Sequence, residues 1–403
     1  MEWREDNLAS IDGGHVVTTS TLGSEEWLSG PWTQTLPPGL EFCPSMLGIW
    51  ERSFTSDFQF WYLQARNRDG RPLLSIPVFA TTHAHVEIVL PDGFYSRVFR
   101  SVRKVLPAVL PNQALVVGTP MSDDLELGGD AYRLQALELI VAELDHLRRI
   151  HDLEMVIFRN LVATPADRAL LAASGYARVK GLPNAQLHLP HGTFDEYLAG
   201  LDVRKRRNAR YKLRHAERAG YDVRTGANPS LAASFFPLFE NTYLRSRHKF
   251  ERPNRALLKN LASRPPDEVQ WLSVWEKDRP VGAAYCFLDR GCLAVKRVGF
   301  DYDAEIPYLY FILHYELIRL ALASGLTRLL LGPTSYAAKR EIGATLQGTE
   351  LYIKHRSPLM TELLALVSEA AHVEQEPPQL SSPHEGRSPE ASSRAATMSA
   401  EVP

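Results

Sequence analysis

Apolar and polar positions change period along this chain in an order that occurs twice. Residues Trp61–Phe79 (WYLQARNRDGRPLLSIPVF) and Trp271–Phe287 (WLSVWEKDRPVGAAYCF) each hold two apolar, strand-like runs around a charged turn with an aspartate, Asp69 or Asp278. Such a pair predicts a β-hairpin. A further strand is expected around Leu115–Gly118 and again around Leu293–Gly299. After each comes a long stretch with apolar residues at three-to-four spacing, Tyr132–Arg149 and Leu309–Ser324, which predicts a helix lying on a core. Each helix leads into a short apolar strand, Met155–Phe158 or Arg328–Leu331. Elements that recur in one order predict an internal duplication. Hairpin, strand, helix, strand is an α/β unit (α+β in its mixed sheet). In the first copy Pro165–Ser174 adds a helix. Thr164 can cap it, Pro165 has no N–H to leave unpaired there, and Gly175 stops it before a strand holding Leu187 and Leu189.

Composition sets the limits of this picture. With 403 residues, 45% hydrophobic and 23% charged, the chain can fill two domains with proper cores. The division expected is an irregular lead-in over 1–25, one unit over 26–195, a second over 196–360, and a disordered tail over 374–403. From Glu374 the tail is dominated by Pro, Ser, Glu and Ala, which cannot bury enough surface to offset the entropy of ordering. A net charge of −2 excludes a general polyanion binder, so a nucleic-acid contact needs a local basic patch, and DNA is not an expected partner. Three cysteines, Cys43, Cys286 and Cys292, argue against a disulfide framework or a zinc site, and the last two read as core fillers. The start MEWREDNLAS is no signal peptide and no run of about 18 apolar residues occurs, so no membrane span is expected and the cytoplasm is the expected location.

Four stretches have candidate chemistry. Asp202–Arg218 (DVRKRRNARYKLRHAER) has eight Lys or Arg against two acids and neither Pro nor Gly. On a helix Arg207, Arg210, Tyr211, Arg214 and Arg218 share one side, with Arg204, Lys205 and Arg206 at its start, which suits a phosphate-bearing ligand; a solvated linker helix is the plainer reading. In Glu240–Arg252 (ENTYLRSRHKFER), His248 titrates near neutrality and is a candidate general base, though a lone His in a charged segment is commonly just exposed. In Val295–Tyr310 (VKRVGFDYDAEIPYLY), Asp301 and Asp303 are expected to cap the following helix rather than to admit an anion there. In Leu331–Ala344 (LGPTSYAAKREIGA), Tyr336 and Lys339 follow the carboxyl end of a strand, where ligands of α/β sheets commonly sit.

Two of these stretches carry a resemblance. YLAGLDVRKRRNARYKLRHAERAGYDV resembles the junction that opens the second unit of FemAB-like, tandem members of the GNAT acyltransferase superfamily, through Leu201, Lys205, Arg207, Asn208, Arg210, Arg214, Glu217 and Gly220. LGPTSYAAKREIGA resembles that family's closing phrase through Gly332, Tyr336, Lys339 and Gly343. The resemblance as a whole covers about residues 40–358. The resemblance implies two GNAT-type units and an N-acyltransferase (an N-acetyltransferase or an aminoacyl transferase) that moves an acyl or aminoacyl group from acyl-CoA or aminoacyl-tRNA to an amine. The acceptor would be a small molecule, a cell-wall precursor or a natural product, and no metal is implied. Arg204, Lys205, Arg207, Arg210, Arg214 and Arg297 would hold the donor, with the oxyanion on a backbone N–H near Arg297–Gly299. Tyr336 or Lys339 would assist the leaving group, and His248 or a water would take the amine proton. Two departures bear on this. DYDAEIPYLY lacks the glycines that hold the CoA pyrophosphate, LELGGDAYRL with Gly128 and Gly129 is a poor substitute, and this draws the expected donor towards a charged tRNA. The tyrosine position four residues before the last helix's glycine is Leu171 in the first unit and Lys339 in the second, so the first unit is expected to be structural. The alternative is an inactive GNAT pair that binds or scaffolds.

Overall fold

The computed structural model describes residues 31–373 other than 68, 83, 85–96, 99–100, 102–103, 105–112, 130–131, 191 and 247–249, together with the backbone of 16–20. The expected tail and His248 lie outside the described residues.

Each hairpin read from the sequence is present: β2 (Phe58–Arg66) with β3 (Pro72–Thr81), and β9 (Val269–Glu276) with β10 (Arg279–Asp289). Then follow β4 (Ala114–Val117) and β11 (Cys292–Phe300), the helices α2 (Arg133–Ile150) and α9 (Leu309–Ala323), and the strands β5 (Met155–Phe158) and β12 (Arg328–Gly332). Because a helix crosses between them, β4 pairs parallel with β5 and β11 pairs parallel with β12. Helix α3 (Pro165–Ala173) has the expected start, strengthened to a capping box by Asp167, and Gly175 follows it at φ 82°. Val16–Ser20, inside the expected irregular lead-in, is instead a strand, β1, antiparallel to β2; its five residues are too short and too lightly apolar to announce themselves.

Two seven-stranded sheets result. With β6 (Ala177–Lys180), β7 (Asn184–His188), β8 (Asp222–Thr225), β13 (Thr345–Gln347) and β14 (Glu350–His355), their orders are β1-β2-β3-β4-β5-β14-β6 and β13-β7-β12-β11-β10-β9-β8. The orders match position for position, which is the structural form of the duplication. They also show an exchange. β7 follows the first unit's strands in sequence but joins the second sheet between β12 and β13, while β14 returns from the second unit to lie between β5 and β6. The hydrogen bonds therefore cross the sequence division at 195/196 in both directions.

Three apolar layers follow. One lies between the first sheet and α2, with Leu137, Ile140 and Leu144 fully buried. Another lies between the second sheet and α9, with α5 (Val203–Ala219) beside it. The third is shared between the sheets and is rich in aromatics: Trp50, Phe54, Phe79, Phe239, Trp271 and Tyr285. In it sit α1 (Pro44–Ser53), α7 (Phe236–Arg245) and α8 (Arg255–Ala262). Cys286 and Cys292 are buried in the second sheet, as core fillers should be.

Candidate functional site

The second sheet opens where its two parallel strands part. β11 pairs with β12 only from Cys292 to Ala294. Directly after, its register against β10 slips, with Tyr285 opposite Arg297 and Cys286 opposite Val295, which makes Lys296 an extra residue. A bulge bends and twists its strand, so β11 turns off while β12 stays bonded to β7. β4 and β5, by contrast, remain paired along all four residues. The bend opens a cavity of 440 Å³. The second unit supplies Val295–Val298, the last turn of α7, the first turns of α9 and the β12 exit. The first sheet supplies the floor through Val116, Met155, Ile157, Leu351 and Ile353.

The cavity's charges are mostly matched. Lys296 bonds Glu41 and Asp123 and donates to Met121 O at 3.3 Å. Burial lowers the Lys296 pKa, and burial with Asp124 beside it raises that of Asp123; the contact between the two holds them as an ion pair. Arg297 pairs with Glu251 at 2.5 Å. Lys339 donates to three main-chain carbonyls, Leu331 O at 2.7 Å, Gly332 O at 3.1 Å and Pro333 O at 2.9 Å. These clip a tight exit turn in which Gly332, Thr334 and Ser335 all have positive φ. Burial, partly offset by Asp123, brings the Lys339 pKa down to about 7.

The sequence candidates thus separate. Lys339 and Arg297 line the cavity. Tyr336 is not among the lining residues: its hydroxyl donates to Pro183 O at 2.9 Å, bracing α10 (Tyr336–Glu341) on the β6–β7 connection, and burial pushes it up to about 12. Arg204, Arg207, Arg210 and Arg214 are exposed on the outer face of α5, with Lys205 half-buried and paired to Asp202. Asp202 caps that helix at the Lys205 N–H, and Gly220 ends it at φ 78°. Its inner face packs against the first turns of α9 and against α10: Lys212 bonds Glu341 and lies 3.6 Å from the Phe311 ring centre. Among the described residues no carboxylate pairs with Arg204, Arg207, Arg210, Arg214 or Arg218.

Asp301 and Asp303 do not cap α9, whose first turn follows Tyr308 at φ 60° with no side-chain cap. Asp301 instead accepts the Asp303 N–H at 3.0 Å and pairs with Arg279, and Glu276 accepts the Glu305 N–H at 3.0 Å. The sequence reading missed two lining groups. His314, on α9, donates from Nδ1 to Tyr310 O at 2.7 Å, which leaves Nε2 with its lone pair. Burial and the nearby Lys339 pull its pKa down to about 3, so it is neutral. Its apolar setting at helix spacing reads as core, so no local signal marks it. Arg159 directly follows β5, at the end of an ordinary buried strand.

The site is thus a bulged strand splayed from its parallel neighbour, with a helix joining the two. Residues 203–340 match the family model described as acetyltransferase (GNAT) domain. That stretch, about a third of the chain, is what the match to the GNAT acetyltransferase family covers. Among solved structures it is similar to FemX, at 11% identity over 86% of this chain and 99% of that one, with a TM-score of 0.52. It is also similar to a tandem GNAT protein from the clavulanic acid biosynthesis pathway (14%, 85% and 99%, TM-score 0.49) and to the L-PGS of Bacillus licheniformis (14%, 81% and 91%, TM-score 0.47). At these identities the likeness is one of fold. No curated protein sequence matches the chain. No helix among the described residues is long and apolar enough to cross a membrane, and none of their His, Cys, Asp and Glu side chains form a group that could hold a metal ion.

Proposed function

We propose that the protein transfers an aminoacyl group from a charged tRNA to an amine bound in the cavity, with the second unit as the reacting unit. The observation that carries this is the splay of β11 from β12 in the GNAT-matching unit, over a cavity floored by the first sheet, a splay that β4 and β5 lack. Beyond Ala294 no strand among the described residues pairs with the β12-facing edge of β11, so its N–H groups can hold the oxyanion. The amine attacks the ester carbonyl, its N–H directed by the neutral His314 Nε2. The C–N bond forms as the ester C–O bond breaks, and the amine proton passes to the departing oxygen through solvent. Lys339, with its N–H groups engaged by carbonyls, serves as a positioning residue for the exit turn, and Tyr336 braces the same helix.

The donor follows from where amides and cations are free. The loop amides of Asp303 and Glu305 are taken by carboxylates, and acids surround them, which disfavours a pyrophosphate there. The arginine face of α5 has no acidic partners and stands outside the helices that form the cavity wall, which suits a phosphate backbone. The test is binding and transfer with charged tRNA, against acetyl-CoA as the rival donor. Exchanging Arg207, Arg210 and Arg214 for Glu should weaken tRNA binding at least tenfold and flatten its salt dependence without lowering thermal stability, since these side chains are exposed. Unaltered tRNA binding, or clear thermal stabilisation by acetyl-CoA, would overturn the assignment of the donor. The occupied Tyr336 hydroxyl and Lys339 ammonium favour a second reading, an inactive pair that only binds; tRNA binding with no transfer to any amine would select it.

A further inference from the structure

Of the four cations that line the cavity among the described residues, two are paired with carboxylates and a third has all its donors taken. Lys296 has two carboxylates, Arg297 has Glu251, and Lys339 has three carbonyls for its three donors. Arg159 is the fourth. Its Nη1 donates to Pro120 O at 2.5 Å and its guanidinium lies 5.1 Å from the centre of the Phe250 ring. Neither contact neutralises it, and no carboxylate lies within ion-pair distance among the described residues. The two acids that act on it from farther away, Asp123 and Glu251, are each committed to another cation. Burial lowers the Arg159 pKa in spite of them, with its side chain half-buried at the cavity wall.

A half-buried arginine kept charged without a directly paired counter-ion is left partly uncompensated, and an anion that enters with a ligand relieves this. A guanidinium has five donors in a planar fork. With one spent on Pro120, the remaining donors are enough for the two oxygens of a carboxylate. Beside it the floor is apolar: Val116, Met155, Ile157, Leu351 and Ile353. A polyanion has no use for such a floor, whereas a carboxylate on an apolar body fits both features.

We propose that Arg159 is a substrate-binding residue that holds the carboxylate of a small molecule whose apolar part lies on the floor from the first sheet. The inference rests on the cavity being the acceptor's chamber, and it names the acceptor's class: an amine that also bears a carboxylate. It gives the first sheet a part in specificity, because Arg159 directly follows its strand β5 and the floor lies on that sheet.

Calorimetry on the full chain at low ionic strength tests this with matched pairs, 3-phenylpropanoate against 3-phenylpropanamide and hexanoate against hexanamide. The wild type should bind at least one carboxylate about tenfold or more tightly than its amide. Arg159→Met should erase that preference while still binding the amide, and Arg159→Lys should keep part of it. Equal binding of acid and amide, binding of neither carboxylate, or a preference that survives in Arg159→Met would each overturn the proposal. The wild-type comparison needs no variant, so a poorly folding Arg159→Met leaves it decisive. Turnover is no part of the readout. Failure of tRNA-dependent transfer with the carboxylate preference intact therefore removes the donor and spares this site, and the reverse removes this site alone.

Discussion

Lys339 shows how a residue can be found by its place in a phrase and still have its chemistry set by the fold. The sequence put it near the carboxyl end of a strand, and that much is local. That its three N–H groups would close on Leu331, Gly332 and Pro333 depends on a turn with three positive φ values, which no spacing announces. Lys339→Met leaves those carbonyls without a donor and should cost about 2 kcal/mol or more at pH 7. The pH dependence has a definite sign. The folded pKa is about 7 against the ordinary lysine value of 10.5, so between those values the unfolded chain binds more protons than the folded one. This lysine's contribution to stability therefore rises as pH rises from about 7 towards 10.5, and is at its least favourable below 7. Denaturant unfolding of wild type and Lys339→Met at pH 7, 8 and 9 should show a difference that grows in favour of the wild type; a flat or shrinking difference contradicts the assignment. His314 and Arg159 were illegible for another reason. A histidine on an apolar helix and an arginine after a buried strand look ordinary until two sheets close a cavity over them.

At the scale of elements, what was legible was what is local. Hairpins, the helices α2 and α9, and the capped α3 are each set by side chains within a few residues of one another, and they were read to within about three residues. The contact of α7 with β11 was not, because it joins residues about sixty positions apart. It turns on Gly299, where a Cβ would lie 2.6 Å from the Phe239 nitrogen and 2.7 Å from the Leu238 carbonyl carbon. Backbone cannot yield as a flexible side chain does. The contact also seats Thr242, whose hydroxyl accepts the Phe300 N–H at 3.2 Å, so the end of the bent strand is held by the helix that walls the cavity. Gly299→Ala should force α7 away from β11 and lower stability by about 1–3 kcal/mol, the usual range for overpacking. It should weaken ligand binding in the cavity as well, which calorimetry would detect. Gly348, with nothing near a built Cβ, is the control and should tolerate alanine. Equal stability of the two variants would show that α7 is not seated as described.

The two units cannot be understood as beads on a string. Sequence alone suggested a division at 195/196, because repeats are read linearly and strand pairing is not. The exchange of β7 and β14 leaves each half short of one internal strand. Without residues beyond 195, the first sheet lacks β14, so β5 and β6 each lose a partner and the floor loses Leu351 and Ile353. Without residues before 196, the second sheet lacks β7, which exposes β12 and β13 in the same way. Unpaired internal edges of apolar strands invite aggregation, and the aromatic layer between the sheets would be opened in both halves. Expressed separately, residues 1–195 and 196–373 should be insoluble or associate non-specifically. Expressed together they should form a one-to-one complex, because each supplies the strand the other lacks, and gel filtration with light scattering would show it. Two stable, separately soluble halves would mean that the exchange is dispensable. The cavity could then be built by one unit alone, which its lining of residues from both sheets opposes.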